Sequence, residues 1–451
     1  MVIETQFFII PFDHRKYFQV HDHFIGIITI LRERIEMSKS SRISGFYKRT
    51  IDERLELVKD FANLTDEDVE LMKKPGSLPI DVANHMIENV IGITQIPLGI
   101  AVNFRINEKD YLIPMAIEEP SVVAACSNAA KMARGKGGFF TSSTDSIMIG
   151  QIQAVDVKDP FAAKMRVLKL KNAILDKANE KHRTTRANDL DVKVINTATG
   201  DMVITELYID CKDVMGANAV NSMCESVASI IERATGGTVL LRILSNLTSK
   251  RLARAQVVIE KDAVGGQEVV EGIVEAWSFA SADPYRAATH NKGIMNGIDA
   301  VAIATCNDFR GLEAGAHAYA ARTGHYGPLT IWEKDVNGDL SGSIEVPMAV
   351  GIIGGVTKVN PIAQICLKIL GVKTASELGE VMAAVGLAQN LAALRALVAE
   401  GIQKGHMSLH ARNIAMSIGA TGNLIDIIAD KMVEEGNVKA DRAKELLEEL
   451  L

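Results

Sequence analysis

Cysteine is scarce in this chain of 451 residues, and the five present form no pattern. Cys126, Cys211, Cys224, Cys306 and Cys366 are odd in number and include no CxxC pair, so neither a disulfide framework nor a zinc site is expected. A reducing cytosol suits such usage, and a cytoplasmic location is expected. Concentrated basic charge is also missing. The 49 Lys and Arg are outnumbered by 56 Asp and Glu, and without a basic tract nucleic acid is not expected as a partner. The apolar run "FIGIITIL" (24–31) is far short of the ~20 residues that cross a bilayer, so no membrane partner is expected. The N-terminal residues lack the ordered features of a signal peptide. No GxGxxG or Walker sequence follows a predicted strand, no HExxH is present, and neither repeats nor low-complexity linkers break the chain.

What remains is the profile of a globular protein, 47% hydrophobic and 23% charged, long enough for two domains or one with an insertion. Small molecules or other proteins are its expected ligands. Residues 1–39 form a leader of unknown role. "IDERLELVKDFANLTDEDVELMKK" has helical periodicity, with Thr65 and Asp68 spaced as a capping box, and "IDVANHMIENVIG" continues it. "PLGIAVNFRINEKDYLIPMAI" predicts two strands around a polar turn, and a helix from Ser121 to Arg134 ends at "GKGG". From 146 to 250, strand, helix, hairpin, helix and strand alternate as in a split βαβ sandwich. Residues 263–400 read as mostly helical, apart from a hairpin turning at Asn337-Gly338, and 401–451 end in charged helices.

Four stretches could carry chemistry. In "RAATHNKGIMNGIDAVAIATCNDFRG", Lys292 lies among glycine and asparagine, which suits a buried ammonium meeting negative charge on an oxygen. Asp308 follows the strand-like run "AVAIAT". A structural ion pair would explain the same two residues. In "IPMAIEEPS", strand alternation lets only one of Glu118 and Glu119 face a site, while Ser121 can cap the next helix; ordinary helix-entry charge is the plainer reading. "DVMGAN" (Asp213, Val214, Met215, Gly216, Ala217, Asn218) stands after a strand at a helix N-terminus, where free N–H groups can receive a pyrophosphate or merely be capped. In "IQKGHMSLHARN", His406 and His410 are four apart; a poor zinc signal, but His406 after Gly405 could ride on a mobile segment as a proton donor.

Together with "SRISGFYKRTIDERL", "ENVIG", "EEPSVVAA", "LRILSNL", "EAGAHAYA", "HYGPLTIWEKD" and "VGLAQNLAALRALVAEGIQKGHM", these stretches resemble the class II hydroxymethylglutaryl-CoA (HMG-CoA) reductases of bacteria and archaea. The resemblance leaves out only about the first forty residues. It implies an α+β fold: a large mainly helical domain (40–145 and 251–400), an inserted ferredoxin-like α/β dinucleotide-binding domain (146–250), and a C-terminal helical flap (401–451). It implies reduction of HMG-CoA to mevalonate and coenzyme A with two NADPH or NADH, without a metal. Carried over by position, the catalytic residues fall on Glu119, Lys292, Asp308 and His406. Substrate contacts fall on Ser121, Arg286, Asn296 and Gln389. Cofactor contacts fall on Asp213 through Asn218, with His182 where an aspartate would favour NADH, which leans the expectation toward NADPH or dual use. Asp308 is expected to hold Lys292 charged. Family members are dimers, some assembled to hexamers, with sites built across the subunit boundary. A Schiff-base lyase using Lys292, a non-catalytic acyl-CoA-binding protein, and the same reductase running oxidatively are the alternatives.

Overall fold

The computed structural model describes residues 39–74, 76–399 and 402–450, of which 402–409 by their backbone alone. Helices α1 (Ile51–Ala62), α2 (Asp66–Lys73) and α3 (Ile80–Met86) open it. Both α1 and α2 start with full capping boxes, Thr50 with Glu53 and Thr65 with Asp68, so two otherwise orphaned amides are satisfied at each. The helix expected to run on through "ENVIG" stops at Met86; 88–97 carry no regular structure.

Strands β1 (Leu98–Ile106), β2 (Lys109–Ala116) and β3 (Phe139–Ser143), with β8 (Leu252–Ile259), β9 (Thr330–Lys334) and β10 (Leu340–Pro347), make one sheet in the order β2-β1-β3-β8-β10-β9. All its pairs are antiparallel except β1 with β3. The sequence reading found β1, β2, β9 and β10 but passed over β3 and β8, which fill the centre. "FFTSS" is short and half polar, and "LARAQVVI" alternates with charge, so neither stands out until its neighbours are paired.

The second sheet contains β4 (Ile147–Val155), β5 (Arg186–Thr197), β6 (Gly200–Asp210) and β7 (Thr238–Leu244) in the order β5-β6-β4-β7, all antiparallel. With α5 (Pro160–Lys169) and α6 (Lys171–Asn179) between β4 and β5, and α7 (Ala217–Thr235) between β6 and β7, the chain order is βαββαβ, the ferredoxin-like arrangement. The expected single helix from Pro160 is broken at Leu170, whose amide bonds back three residues to Val167. A separate core of Met148, Ile152, Leu207, Met223, Val227 and their neighbours holds this sheet to its helices.

Around the first sheet pack α4 (Val122–Ala133), α8 (Lys261–Val264), α9 (Gln267–Ala282), α10 (Pro284–Ala304), α11 (Phe309–Ala320), α12 (Gly355–Val359), α13 (Pro361–Leu370) and α14 (Ala375–Ala399). The last is long and apolar enough to span a bilayer, yet two thirds of its apolar window is buried among the other helices and strands, which makes it a core helix. Helices α15 (Ile402–Ser417), α16 (Asn423–Glu434) and α17 (Ala440–Leu450) close a small cluster around Ala411, Ile428, Met432 and Leu446.

Candidate active site

Helix α10 begins at a proline capped by Asp283, whose side chain accepts from the amide of Arg286 at 2.8 Å, and so presents its residues in a fixed register. Asn291 points inward. Its side chain donates to the carbonyl of Gly327 (2.9 Å) and the hydroxyl of Tyr326 (3.0 Å) and accepts from the amide of Leu329 (2.9 Å). That asparagine therefore anchors the helix instead of meeting a ligand. Lys292, next along, points outward, and its ammonium donates to Glu119 Oε2 at 2.7 Å.

Glu119 is placed by the end of β2. After Ala116 the chain bends through Glu118-Glu119-Pro120 and enters α4 at Ser121. Ser121 has φ of +76°, a region that a residue with a β-carbon seldom occupies. Its hydroxyl does not cap the helix, contrary to expectation; it is buried without a partner among the described residues. A strained backbone and an unsatisfied hydroxyl beside an ion pair mark a position kept for a ligand.

Arg286 is half-buried, two turns before Lys292, with its pKa lowered by burial. Asn296 is one turn after Lys292 on the same face. Gln389 of α14 is buried, and its Oε1 also lacks a partner among the described residues. It packs where the helices come closest: a β-carbon at Gly297 would lie 3.1 Å from that of Gln389.

Asp308 is not brought to Lys292. "AVAIAT" is the last part of α10, not a strand, and Asp308 caps α11, accepting from the Gly311 amide at 3.2 Å and pairing with Arg310 at 3.2 Å. The helical rise sets the end of α10 about 18 Å from Lys292. Nor is the lysine enclosed within one chain: its side chain is 60% exposed and that of Glu119 37%. His406 falls on α15, where side chains are outside the described residues; His410 is exposed.

Beyond the end of α10 lies the "DVMGAN" loop. Asn307 bonds both ways with Gly351, accepting from its amide (2.8 Å) and donating to its carbonyl (3.2 Å). A β-carbon at Gly351 would come within 2.6 Å of the Met215 nitrogen, so only glycine permits this approach. Asp213 Oδ1 accepts from the Ala375 amide at 2.9 Å, which makes it a joint residue with one oxygen already engaged. Gly216, at φ +104°, turns the chain into α7; a β-carbon there would strike Cys211 Sγ at 2.3 Å. No side chain caps α7, so the amides of Ala217, Asn218 and Ala219 are open to an anion. His182 stands on the turn after α6, part-exposed between Lys181 and Arg183.

The family pattern described as Hydroxymethylglutaryl-coenzyme A reductase matches residues 50–411. The chain belongs to the HMG-CoA reductase family. It is 60% identical over 422 residues to the 3-hydroxy-3-methylglutaryl-coenzyme A reductase of Archaeoglobus fulgidus, which covers 92% of this chain and 96% of that protein. It is 36% identical over 418 residues to a probable reductase of Borreliella burgdorferi, covering 89% and 92%. Among solved structures, a reductase from Streptococcus pneumoniae superposes with a TM-score of 0.78 at 37% identity, covering 90% of this chain and 99% of that one. A class II reductase of the same organism, bound to NADPH in open conformations, gives 0.77 at 39% identity, with 79% and 99% covered. Class II membership and a mixed helix-and-sheet reductase fold follow, and the family is one of NAD(P)H-dependent oxidoreductases.

Three further features of the structure escape the sequence reading. The first is a groove along α4. A cavity of about 1010 Å³ runs from Val123, two residues past Ser121, to Lys131, and is walled by Phe46, Tyr47 and Gly99. A second cavity of about 660 Å³ shares Arg42, Asn128 and Lys131 with it and adds Arg105, Arg134 and Arg395. Basic residues that gather here come from 42, 105, 131, 134 and 395, so no local run of charge signals them.

The second is a hydrogen-bonded chain on the Lys292 side of α10. His317 Nε2 meets Glu313 Oε2 at 2.7 Å, its Nδ1 meets the Tyr326 hydroxyl at 2.7 Å, and Tyr326 returns to Asn291. Glu313 also lies beside the carboxyl of Asp299. Burial, with Glu313 beside it, pushes Asp299 up to about 8, whereas the His317 contact draws Glu313 below its ordinary value. His290, buried against Thr330 with its Nε2 at 2.6 Å, is driven by burial and by nearby Arg286 down to about 3. The third is Arg251, a buried guanidinium beneath the "DVMGAN" loop.

Proposed function

We propose that this chain reduces HMG-CoA to mevalonate and coenzyme A in two hydride transfers, through mevaldehyde. The carrying observation is the 2.7 Å pair of Lys292 and Glu119 beside the unsatisfied Ser121 hydroxyl. Reduced nicotinamide supplies the hydrides. Lys292 donates to the thioester oxygen as it gains charge, which lowers the barrier most once water is excluded. His406 gives a proton to the departing thiolate, and Glu119 to the alkoxide formed in the second transfer. Arg286 suits the free carboxylate of the hydroxymethylglutaryl group, because its guanidinium has no ion-pair partner among the described residues and can bind in a bidentate manner. Asn296, one turn past Lys292, and Gln389, packed against Gly297, supply further polar contacts. The pantetheine arm fits the apolar groove along α4, and the phosphates of coenzyme A its basic end.

The dinucleotide is assigned to the ferredoxin-like unit, about 146–250, with its pyrophosphate on the amides of 216–219. NADPH use is supported by the NADPH-bound class II relative and by the absence of an acid at His182. The two half-sites stand at opposite ends of α10, and this supports a homodimer in which Asp308 of a second copy meets Lys292. The open "ENVIG" stretch, with Ile91 fully exposed and Ile87 largely so, suits such an interface. Assembly to a hexamer and a cytoplasmic setting complete the reading.

Oxidation of NADPH that depends on HMG-CoA, followed by absorbance with mevalonate identified as product, tests the activity. Borohydride trapping of substrate on Lys292 without NADPH oxidation would instead establish the Schiff-base lyase. For the shared site, Lys292→Ala and Asp308→Ala chains, each inactive, are mixed and reassociated. About one quarter of the wild-type rate should return if sites combine two chains; no recovery despite verified exchange would place both residues in one chain.

A further inference from the structure

We infer that Arg251 is a positioning residue for the dinucleotide: its guanidinium turns the carbonyls of Lys212, Val214 and Met215 away from the ligand, so that the amides that follow at the start of α7 face the pyrophosphate. The inference rests on the assignment of the dinucleotide to this loop. Arg251 is 4% exposed and lies where the chain returns from the small sheet to the large one, immediately before β8. Its backbone is fixed there. The amide donates to Thr248, the carbonyl accepts from Met348 at 2.9 Å, and the neighbouring Leu252 is tied to Thr144 of the other crossing by its amide (2.8 Å) and its carbonyl (2.9 Å).

From that seam the side chain reaches under the loop. Nη1 donates to the carbonyls of Val214 (3.2 Å) and Met215 (3.1 Å), and Nη2 to those of Val350 (2.6 Å) and Lys212 (3.5 Å). Three of these belong to the residues just before Gly216. Because peptide planes are rigid, a carbonyl drawn to one side sends the next amide to the other. With Met215 held this way, the amide of Gly216 continues the row of open donors at the start of α7, while that of Met215 lies against Gly351. No carboxylate forms an ion pair with Arg251 among the described residues, so its charge is spread over neutral carbonyls while Asp210 and Asp213 attract it from nearby. A positive charge enclosed beneath the loop also favours an anion above it. Lysine could supply the charge but not a planar fork that spans four carbonyls.

The test compares Arg251→Lys, Arg251→Met and Asn218→Glu in the full chain by steady-state kinetics with NADPH and HMG-CoA. The last places a carboxylate on the first turn of α7, which the helix dipole tolerates but a pyrophosphate does not. Expected are a rise of about tenfold or more in the KM for NADPH for Arg251→Met, a smaller rise for Arg251→Lys, and a KM for HMG-CoA within about twofold of wild type. Should Arg251→Met fail to fold, Arg251→Lys carries the comparison. Equal loss toward both substrates, or an unchanged KM for NADPH in a folded Arg251 variant whose Asn218→Glu counterpart loses NADPH, would reduce Arg251 to a seam residue. If Asn218→Glu also leaves the KM for NADPH unchanged, the dinucleotide is not on this loop and both readings fall.

Discussion

At the Lys292 end of α10 the side chains stand open, with, among the described residues, an ammonium paired only to Glu119 and a buried hydroxyl and a buried amide oxygen without partners; at the Ala304 end Asn307 bonds both ways with Gly351. The loop from Asp213 to Asn218 is over-determined by Arg251, Asp213, Gly351 and Gly216. The substrate end is completed only by substrate and, in our reading, by a second chain. On the proposed assignment, rigid scaffolding belongs to the reactant common to both hydride transfers, and unsatisfied groups to the one that changes between them.

The sharpest way to break this contrast is at Lys292. Lys292→Ala should lower kcat for both HMG-CoA and mevaldehyde by about a thousandfold or more, because a positioned donor to a forming oxyanion is lost from each transfer. It should leave the melting temperature nearly unchanged, since the pair with Glu119 is largely exposed and worth little. A large loss of stability would mean that the ion pair is structural. His406→Gln divides the two transfers instead. Mevaldehyde reduction should persist while the thioester step slows by about a hundredfold, the usual scale of general-acid catalysis; equal damage would remove the thiolate as the proton's destination.

Much of this is legible in the sequence. Thr65 with Asp68, the strand pair around Asn107 and the βαββαβ order announced themselves because capping and alternation are local codes. "AVAIAT" misled for the same reason: a short apolar run has no period of its own, and only its continuity with the turns before it makes it helix. Asp308 therefore looked like a strand-end carboxylate near Lys292 when it caps the next helix beyond α10. Arg251 and the basic groove were invisible because their partners come from distant segments and their residue types are ordinary in isolation.

Ser121 sharpens the contrast from the open side. Ser121→Gly should relieve the positive φ and remove the unpartnered hydroxyl, raising stability by about 1 kcal/mol in a thermal melt. It should also raise the KM for HMG-CoA by about tenfold, the scale of one lost hydrogen bond to a charged group. A variant that gains stability and keeps its KM would show the strain to be unrelated to substrate.

The last contrast lies in the pH dependence of stability, where two groups on α10 act in opposite windows. His290 has its folded pKa depressed to about 3 from an ordinary 6.5, so the unfolded chain binds a proton that the folded one refuses. Its contribution is present above 6.5 and is lost as pH falls toward 3. Asp299 is raised to about 8 from 3.8, so the folded chain holds a proton that the unfolded one releases. Its contribution is full below 3.8 and is lost as pH rises toward 8. Asp299→Asn keeps a donor toward Glu313 without the titration, and should flatten the decline in melting temperature between about pH 5 and 8 while leaving the acid limb alone. An unchanged slope on the alkaline side would mean that Asp299 does not hold a proton in the folded chain.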